Sequence, residues 1–320
     1  MLRQKQRNGT LPLSIPSQGG EFGERGGKRR PGWKFLVFIL GTICIVLLNH
    51  RGEEFEQPNN PNEPRIAELS IAELQEKLDL LQVSVSAIHK DLSTWAKKGS
   101  ETATLEERKG IEELKGRLEL QSLELKETSV LLLPKLFGEP PYVVEVELSK
   151  ANGIPFGNMK LEMADEEMPY TTLFFLRQVH HKLWDGQNII RNARHVIQMD
   201  PRGPPGSRKR FSDKKLNSVA FQEYNELYPH KQFTIGLAGR PGGPDWYIST
   251  IDNTKNHGPG GQKSYNIQAE ADPCFGRVIE GFDVIEKIQG LDVKAGGFMM
   301  LKEFVDIKSM RIMQGNIVNL

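Results

Sequence analysis

A long apolar run near the start of the chain is its first recognisable pattern. Phe35–Leu48, FLVFILGTICIVLL, contains no charged residue. Counted from Trp33 to Asn49, it is just long enough to cross the hydrocarbon core of a bilayer, which needs about 17 to 25 helical residues. We therefore predict a transmembrane signal-anchor helix over 35–49. A cleaved signal peptide would need a small-residue cleavage site, and a core helix would be flanked by globular sequence, so both alternatives fit this segment less well.

The charges on either side of this run predict its orientation. Residues 1–34 carry eight basic and two acidic side chains among residues that cannot build a core, so we predict a disordered basic tail. Acidic residues follow the run, in the Pro- and Asn-rich hinge 50–64. Because basic residues collect on the cytosolic side, the tail is predicted to be cytosolic. The protein is then a single-pass type II membrane protein with a lumenal C-terminal domain, and the short span favours the Golgi or the endoplasmic reticulum.

Steps of three and four residues between apolar positions define the second pattern. They extend over 65–133 and predict helices with an apolar seam, most regular over roughly four heptads. We predict a coiled-coil stalk that forms a homo-oligomer, with a dimer favoured. A break near Gly99 leaves open a hairpin, in which two helices fold back on each other or on the C-terminal domain. The seam positions are Ala67, Ile71, Leu74, Leu78, Leu81, Val85, Ile88, Leu92 and Trp95, followed more weakly by Ile111, Leu114, Leu118 and Leu125.

Alternation of apolar and polar residues is the third pattern and covers residues 140–315. Short alternating runs bounded by Gly and Pro turns are typical of strands. They occur at Tyr142–Leu148, Met159–Met163, Phe233–Leu237 and Trp246–Ile248. Two helical stretches, Pro169–Leu183 and Phe282–Ile288, interrupt them. We predict a mainly β domain with a closed or nearly closed antiparallel sheet plugged by helices.

Four segments of this domain resemble the cyclophilin family of peptidyl-prolyl isomerases. They are MPYTTLFFLRQV, LWDGQNIIRNARHVIQMD, QFTIGLAGRPGGPDWYIST and DPCFGRVIEGFDVIEKIQG, and the last is the most specific. The resemblance implies a closed eight-stranded antiparallel barrel with two capping helices. It also implies that the domain binds proline-containing polypeptides and rotates their prolyl bonds.

The resemblance places a catalytic arginine at Arg191. In the family this guanidinium approaches the prolyl nitrogen and favours the twisted amide over the planar one, so no nucleophile is needed. Gln198 matches a glutamine that supports the substrate backbone, and Tyr247 can form an apolar floor. The resemblance also implies substrate-binding positions at Asp245, Trp246, His195 and Phe275.

Asp245 is the substitution that predicts a degenerate site. It lies next to Trp246, and a carboxylate near Arg191 would pair with the guanidinium and draw it away from a bound amide. Leu237 and Asp272 also replace residues that the family uses in its groove. The alternative is that Arg191 is an ordinary arginine on the surface or at the barrel end and that Trp246 and Tyr247 only pack the core.

Composition and charge exclude several other classes of function. The formal net charge of +1 gives the protein no overall positive potential that would attract nucleic acid. The histidines have no metal-ligand spacing with a cysteine or carboxylate pair, so we expect neither a metal nor another cofactor. Cys274 is the only cysteine beyond the apolar run, so no intramolecular disulfide is expected there.

The sequence is compatible with three functions. The first is a membrane-tethered isomerase or proline-peptide binder that acts on protein chains in the secretory lumen. The alternative is a non-catalytic scaffold that gathers partners through its coiled coil. A weaker alternative is a Golgi-type transferase, which often has a type II anchor and a stem.

Overall fold

The computed structural model describes most of the chain after residue 67. The predicted tail, anchor and hinge, at 1–34, 35–49 and 50–64, lie outside the described residues. Within the described part, no helix combines the length and apolar character that crossing a bilayer requires. The described residues are 68–98, 104–261, 271–296 and 298–313.

Eight strands close into a barrel in the order β1-β2-β7-β5-β6-β4-β3-β8. Every pair of neighbouring strands is antiparallel. The predicted closed eight-stranded barrel is therefore confirmed. The strands are β1 (Val143–Lys150), β2 (Pro155–Met163), β3 (Gln187–Asn192), β4 (Val196–Asp200), β5 (Thr234–Gly239), β6 (Gly242–Ser249), β7 (Cys274–Glu280) and β8 (Met300–Ile312).

The alternation along β1 shows why these residues form a barrel wall. Val144, Val146 and Leu148 are buried, because successive side chains of a strand point to opposite faces. Glu145 and Glu147 lie between them and pair with Arg311 and Lys308 of β8 on the outer surface. The apolar face therefore fills the barrel, while the polar face stays in water.

Two of the helices in the barrel domain were predicted from the sequence. One of them, α3, covers Pro169–His180, and its Phe174 and Phe175 are at most 1% exposed. The other, α6, covers Phe282–Gln289 and buries Val284, Ile285 and Ile288. Two shorter helices, α4 (Ser207–Asp213) and α5 (Thr254–His257), were not predicted, because their polar sequences show no helical period.

The region predicted to be a stalk folds as a helical hairpin, which corrects that prediction. Helix α1 covers Ile71–Lys98 and helix α2 covers Leu105–Phe137. Lys77 pairs with Glu124 at 2.5 Å, and the Ser84 hydroxyl donates to Gln121 at 2.8 Å. Partners further along α1 lie earlier along α2, so the two helices are antiparallel.

The apolar seam is covered within one chain. Leu74, Leu78, Val85 and Ile88 of α1 are at most 4% exposed. Leu125 and Leu132 of α2 are fully buried in the same apolar cluster as the barrel interior. The surface predicted to join copies of the chain is therefore already occupied, and the predicted homo-oligomer stays untested. The hairpin that the sequence left open is the arrangement found.

Polar contacts also dock the hairpin onto the barrel domain. Lys215 pairs with Asp79 of α1 at 2.8 Å. Gln82 donates to the Tyr170 hydroxyl at 3.4 Å. Helix α2 also packs along α3. The hairpin is thus part of the same folded body as the barrel.

Truncating a buried residue of α2 tests this docking. We expect Leu132→Ala to lower the free energy of unfolding by about 2 to 5 kcal/mol, because it opens a cavity in the shared core. Leu120→Ala is the matched control, because Leu120 is 69% exposed on the same helix, and it should change stability by less than about 0.5 kcal/mol. Urea unfolding measures both. Equal effects would show that the hairpin does not pack on the barrel.

Candidate active site

An open groove of about 400 Å³ lies on the outside of the barrel. Arg191 of β3 pairs with Gln198 of β4, and Gln198 pairs with Tyr247 of β6. Residues directly opposite each other on neighbouring strands share a face of the sheet. The register therefore aligns the three predicted residues in one row, and all three line the groove.

The Arg191 guanidinium is held by two acceptors. Its Nη1 donates to Gln198 Oε1 at 3.1 Å, and its Nε donates to the Phe298 carbonyl at 2.9 Å. The guanidinium carbon also lies 4.4 Å from the centroid of the Phe298 ring. Partial burial lowers the pKa of Arg191, yet an arginine stays charged at neutral pH. A fixed, charged donor therefore faces the groove.

Asp245 does not pair with Arg191, so the predicted neutralisation is wrong. Its two oxygens accept from Arg208 Nη2 at 2.8 and 3.1 Å. Arg208 also donates to Asp200 at 2.8 Å and so bridges two carboxylates. Burial and the nearby Asp200 raise the pKa of Asp245, an effect that Arg208 opposes. Among the described residues no carboxylate pairs with Arg191, because α4 supplies Asp245 with a different cation.

Trp246 and Phe275 lie inside the barrel, so their predicted contact with substrate is also wrong. Trp246 follows the strand alternation and faces away from its neighbour Tyr247. Trp246 and Phe275 are fully buried, and both contact Phe175 of α3, with ring centroids 5.5 and 4.9 Å apart. For Trp246 the core-packing alternative is the correct one, and Phe275 packs in the core as well.

His195 and His257 form the wall beside Tyr247. The rings of His195 and His257 stack with centroids 5.8 Å apart, and His257 lines the groove. Burial and the neighbouring His257 lower the pKa of His195, which favours the neutral ring. His195 thus lies next to the groove, as predicted. The sequence did not indicate that His257 lines the groove.

Asp272 organises a buried polar cluster beneath the groove. It pairs with Arg240, accepts from the Tyr247 hydroxyl at 2.9 Å, and lies 2.5 Å from Nδ1 of His257. Its side chain is fully buried, and that of Arg240 is 2% exposed. Burial, and after it the nearby Asp272, raises the pKa of Tyr247. The cluster fixes the Tyr247 ring as part of the groove floor.

Sequence reasoning missed Phe298 and Arg208 in this groove. Both residues lie outside the regular alternation of the strands. Phe298 lies on a Gly-rich turn, and Arg208 lies on a polar segment that folds as the short helix α4. The one available signal was the basic character of residues 202–215, which does not reveal a partner. Within the described residues, no group of three metal-ligating side chains is found.

The closed eight-stranded barrel and its arginine-lined groove are those of a cyclophilin-like domain. The model of the family described as cyclophilin type peptidyl-prolyl cis-trans isomerase/CLD matches residues 143–312. This match covers more than half of the 320-residue chain, and the chain belongs to this family.

Solved structures similar to the chain include a cyclophilin type peptidyl-prolyl cis-trans isomerase from Cryptosporidium parvum. The identity is 14%, the TM-score is 0.40, and the alignment covers 55% of this chain and 100% of that one. A second structure of that protein, in the presence of the dipeptide Ala-Pro, also has 14% identity and a TM-score of 0.40, and covers 53% and 99% of the two chains. No curated protein matches the chain.

Proposed function

We propose that this protein catalyses the cis–trans isomerisation of prolyl bonds in polypeptide chains. The observation that supports this proposal best is the row formed by Arg191, Gln198 and Tyr247 in one groove. The charged donor and the Tyr247 ring, which is only 2% exposed, then line the same space. This arrangement suits a proline ring with its amide bond directed at the guanidinium.

The chemistry follows from the electronic structure of the amide. Rotation about the bond costs about 18 to 20 kcal/mol, because the nitrogen lone pair is delocalised into the carbonyl. When the bond twists, that lone pair returns to the nitrogen, which becomes a hydrogen-bond acceptor. A guanidinium directed at the nitrogen stabilises the twisted amide more than the planar one and so lowers the barrier. No covalent intermediate and no cofactor is needed.

Gln198 has two roles in this proposal. Its Oε1 accepts from Arg191 and helps to fix the guanidinium. Its amide NH₂ group makes no hydrogen bond within the described part of the structure, so it can donate to a carbonyl of the substrate backbone. One side chain thus connects the charged group to the bound chain.

The non-catalytic scaffold is the less favoured function. It depended on Asp245 neutralising Arg191 and on a coiled coil that gathers partners. Asp245 instead pairs with Arg208, and the helical seam is buried inside one chain. The Golgi-type transferase has no support in a domain of the cyclophilin family.

A protease-coupled assay tests the isomerase proposal. A chromogenic peptide with one prolyl bond is cleaved only in its trans form, so the slow phase reports isomerisation, which takes minutes at about 10 °C without a catalyst. We expect the full chain to accelerate this phase in proportion to its concentration. A slow phase equal to that in buffer would contradict the proposal.

The pairing of Asp245 with Arg208 gives a second test. Arg208→Ala releases the Asp245 carboxylate in the groove that Arg191 also lines. We expect the catalysed rate to fall about two- to fivefold, the size of a partly exposed ion pair. Adding Asp245→Asn to this variant should restore the rate, because it removes the competing charge. A double variant no faster than Arg208→Ala would show that Asp245 does not affect Arg191.

The location of the protein is a proposal from the sequence. We propose that residues 35–49 anchor the chain as a type II membrane protein of the Golgi or endoplasmic reticulum, with the barrel in the lumen. The uncharged run and the basic residues before it support this orientation. Protease treatment of sealed microsomes should leave the barrel intact, and digestion of the barrel without detergent would contradict the orientation.

A further inference from the structure

Phe298 is a half-exposed aromatic residue that contacts the proposed catalytic group. Its side chain is 50% exposed, and it lies just before β8. Its ring covers one side of the Arg191 guanidinium, and its carbonyl accepts from Arg191 Nε. One residue therefore contacts Arg191 with both its side chain and its backbone.

The backbone around Phe298 is fixed by the neighbouring strand. Arg191 pairs with Met300 where β3 meets β8, so the residues just before Met300 reach over Arg191. The Met299 carbonyl accepts from the Asn192 N–H at 3.1 Å. Met299 has a positive φ of 54°, a conformation that turns the chain sharply and that few non-glycine residues adopt. These contacts place Phe298 at one definite position beside the guanidinium.

The contacts restrict how the guanidinium can move. A guanidinium is planar and carries its donors in one plane, so an acceptor at Nε and a second at Nη1 fix the orientation of that plane. The Phe298 ring lies against the guanidinium, with its centroid 4.4 Å from the guanidinium carbon, and occupies the space on that side. A substrate amide then approaches from another side, within the groove that Gln198 and Tyr247 also line.

We propose that Phe298 is a positioning residue that holds the Arg191 guanidinium in the orientation needed for isomerisation. This inference rests on the proposed function of the groove and assigns to it a residue from the segment between α6 and β8. Phe298 does not need to touch the substrate. Its role is to keep the donors of Arg191 directed at the twisted amide, which is the state that matters for the rate.

Leucine and tryptophan at position 298 separate an aromatic contact from mere bulk. Both variants keep the backbone carbonyl, but only tryptophan keeps a ring that can stack on a cation. We expect Phe298→Leu to lower kcat about tenfold with KM within about twofold of the unchanged chain, because only orientation in the transition state is lost. Phe298→Trp should keep most of the activity. Phe282→Leu is the matched control, since Phe282 is 40% exposed and packs on Phe233.

An NMR measurement on the full chain decides the positioning without relying on activity. The Nε–Hε signal of Arg191, assigned by its loss in Arg191→Lys, should be shifted by the aromatic ring. It should move toward the position of a free arginine in Phe298→Leu and stay displaced in Phe298→Trp. A signal that does not move in Phe298→Leu would overturn the proposal. An unchanged chain that does not accelerate isomerisation would instead overturn the proposed function, while the same NMR shift would still report the contact.

Discussion

Replacing Arg191 with lysine is expected to lower kcat/KM for prolyl isomerisation by about 100-fold or more. This is the size of effect seen when one preorganised donor is removed from a transition state. Lysine keeps the positive charge but has neither the planar fork nor the Nε donor that binds the Phe298 carbonyl. The point charge can therefore reach the groove, but it cannot be fixed in the same orientation. The protease-coupled assay measures the loss.

Arg311→Lys is the matched control for this experiment. Arg311 lies on β8 and pairs with Glu145 on the outer surface, away from the groove. The same chemical change there should leave kcat/KM within about twofold, as expected for an exposed ion pair. Unfolding curves of both variants should match that of the unchanged chain. An Arg191→Lys variant as active as the control would show that the guanidinium does not carry the reaction.

Replacing Asp272 with asparagine is expected to lower the free energy of unfolding by about 3 to 5 kcal/mol, the range for breaking a buried ion pair. Asparagine has nearly the same shape, so the loss comes from the charge and not from a cavity. Arg240 is 2% exposed and would lose the carboxylate that it contacts. The Tyr247 hydroxyl would also lose its charged acceptor. Thermal and urea unfolding both measure this loss of stability.

Asp283→Asn is the control for the buried charge. Asp283 pairs with Lys287 on α6, and the two side chains are 69% and 56% exposed. The same substitution there should change stability by less than about 1 kcal/mol, because water screens an exposed pair. If the two variants unfold alike, the buried cluster beneath the groove does not stabilise the fold in the way described.

The barrel could be predicted because local pattern and tertiary burial agree. In β1, the valines at 144 and 146 fill the barrel, and the glutamates between them meet Arg311 and Lys308 outside. The period of two is a property of a single strand, so it is visible in one sequence. The row Arg191, Gln198 and Tyr247 depends on cross-strand register. Only the family resemblance made that register predictable.

The region predicted to be a stalk shows what a heptad pattern cannot predict, namely the partner of its apolar seam. A heptad seam indicates that Leu74, Leu78 and Val85 face another apolar surface. It does not indicate whether that surface belongs to a second chain or to a later segment of the same chain. The partner is helix α2, which carries a weaker seam, and the barrel domain behind it. Whether the seam packs on a second chain or on the same chain depends on contacts between residues that are far apart in the sequence.

Several predictions for site residues were wrong because the sequence pattern of one strand does not show what contacts it from elsewhere. Asp245 and Arg208 are 37 positions apart, and nothing in the alternation of β6 shows that α4 places a cation there. Trp246 and Tyr247 are neighbours, so one of them had to face the interior. Phe298 lies in a turn without periodicity. The Asp245–Arg208 pair and the position of Phe298 depend on how the segments between strands cross the barrel surface.

Exchange spectroscopy on a short peptide with one prolyl bond observes the isomerisation itself. NMR separates the cis and trans forms, which interconvert over tens of seconds without a catalyst. With the full chain present, we expect exchange cross-peaks between the two forms, and their loss in Arg191→Lys. Cross-peaks absent with the unchanged chain, or equally strong with the variant, would contradict the isomerase proposal.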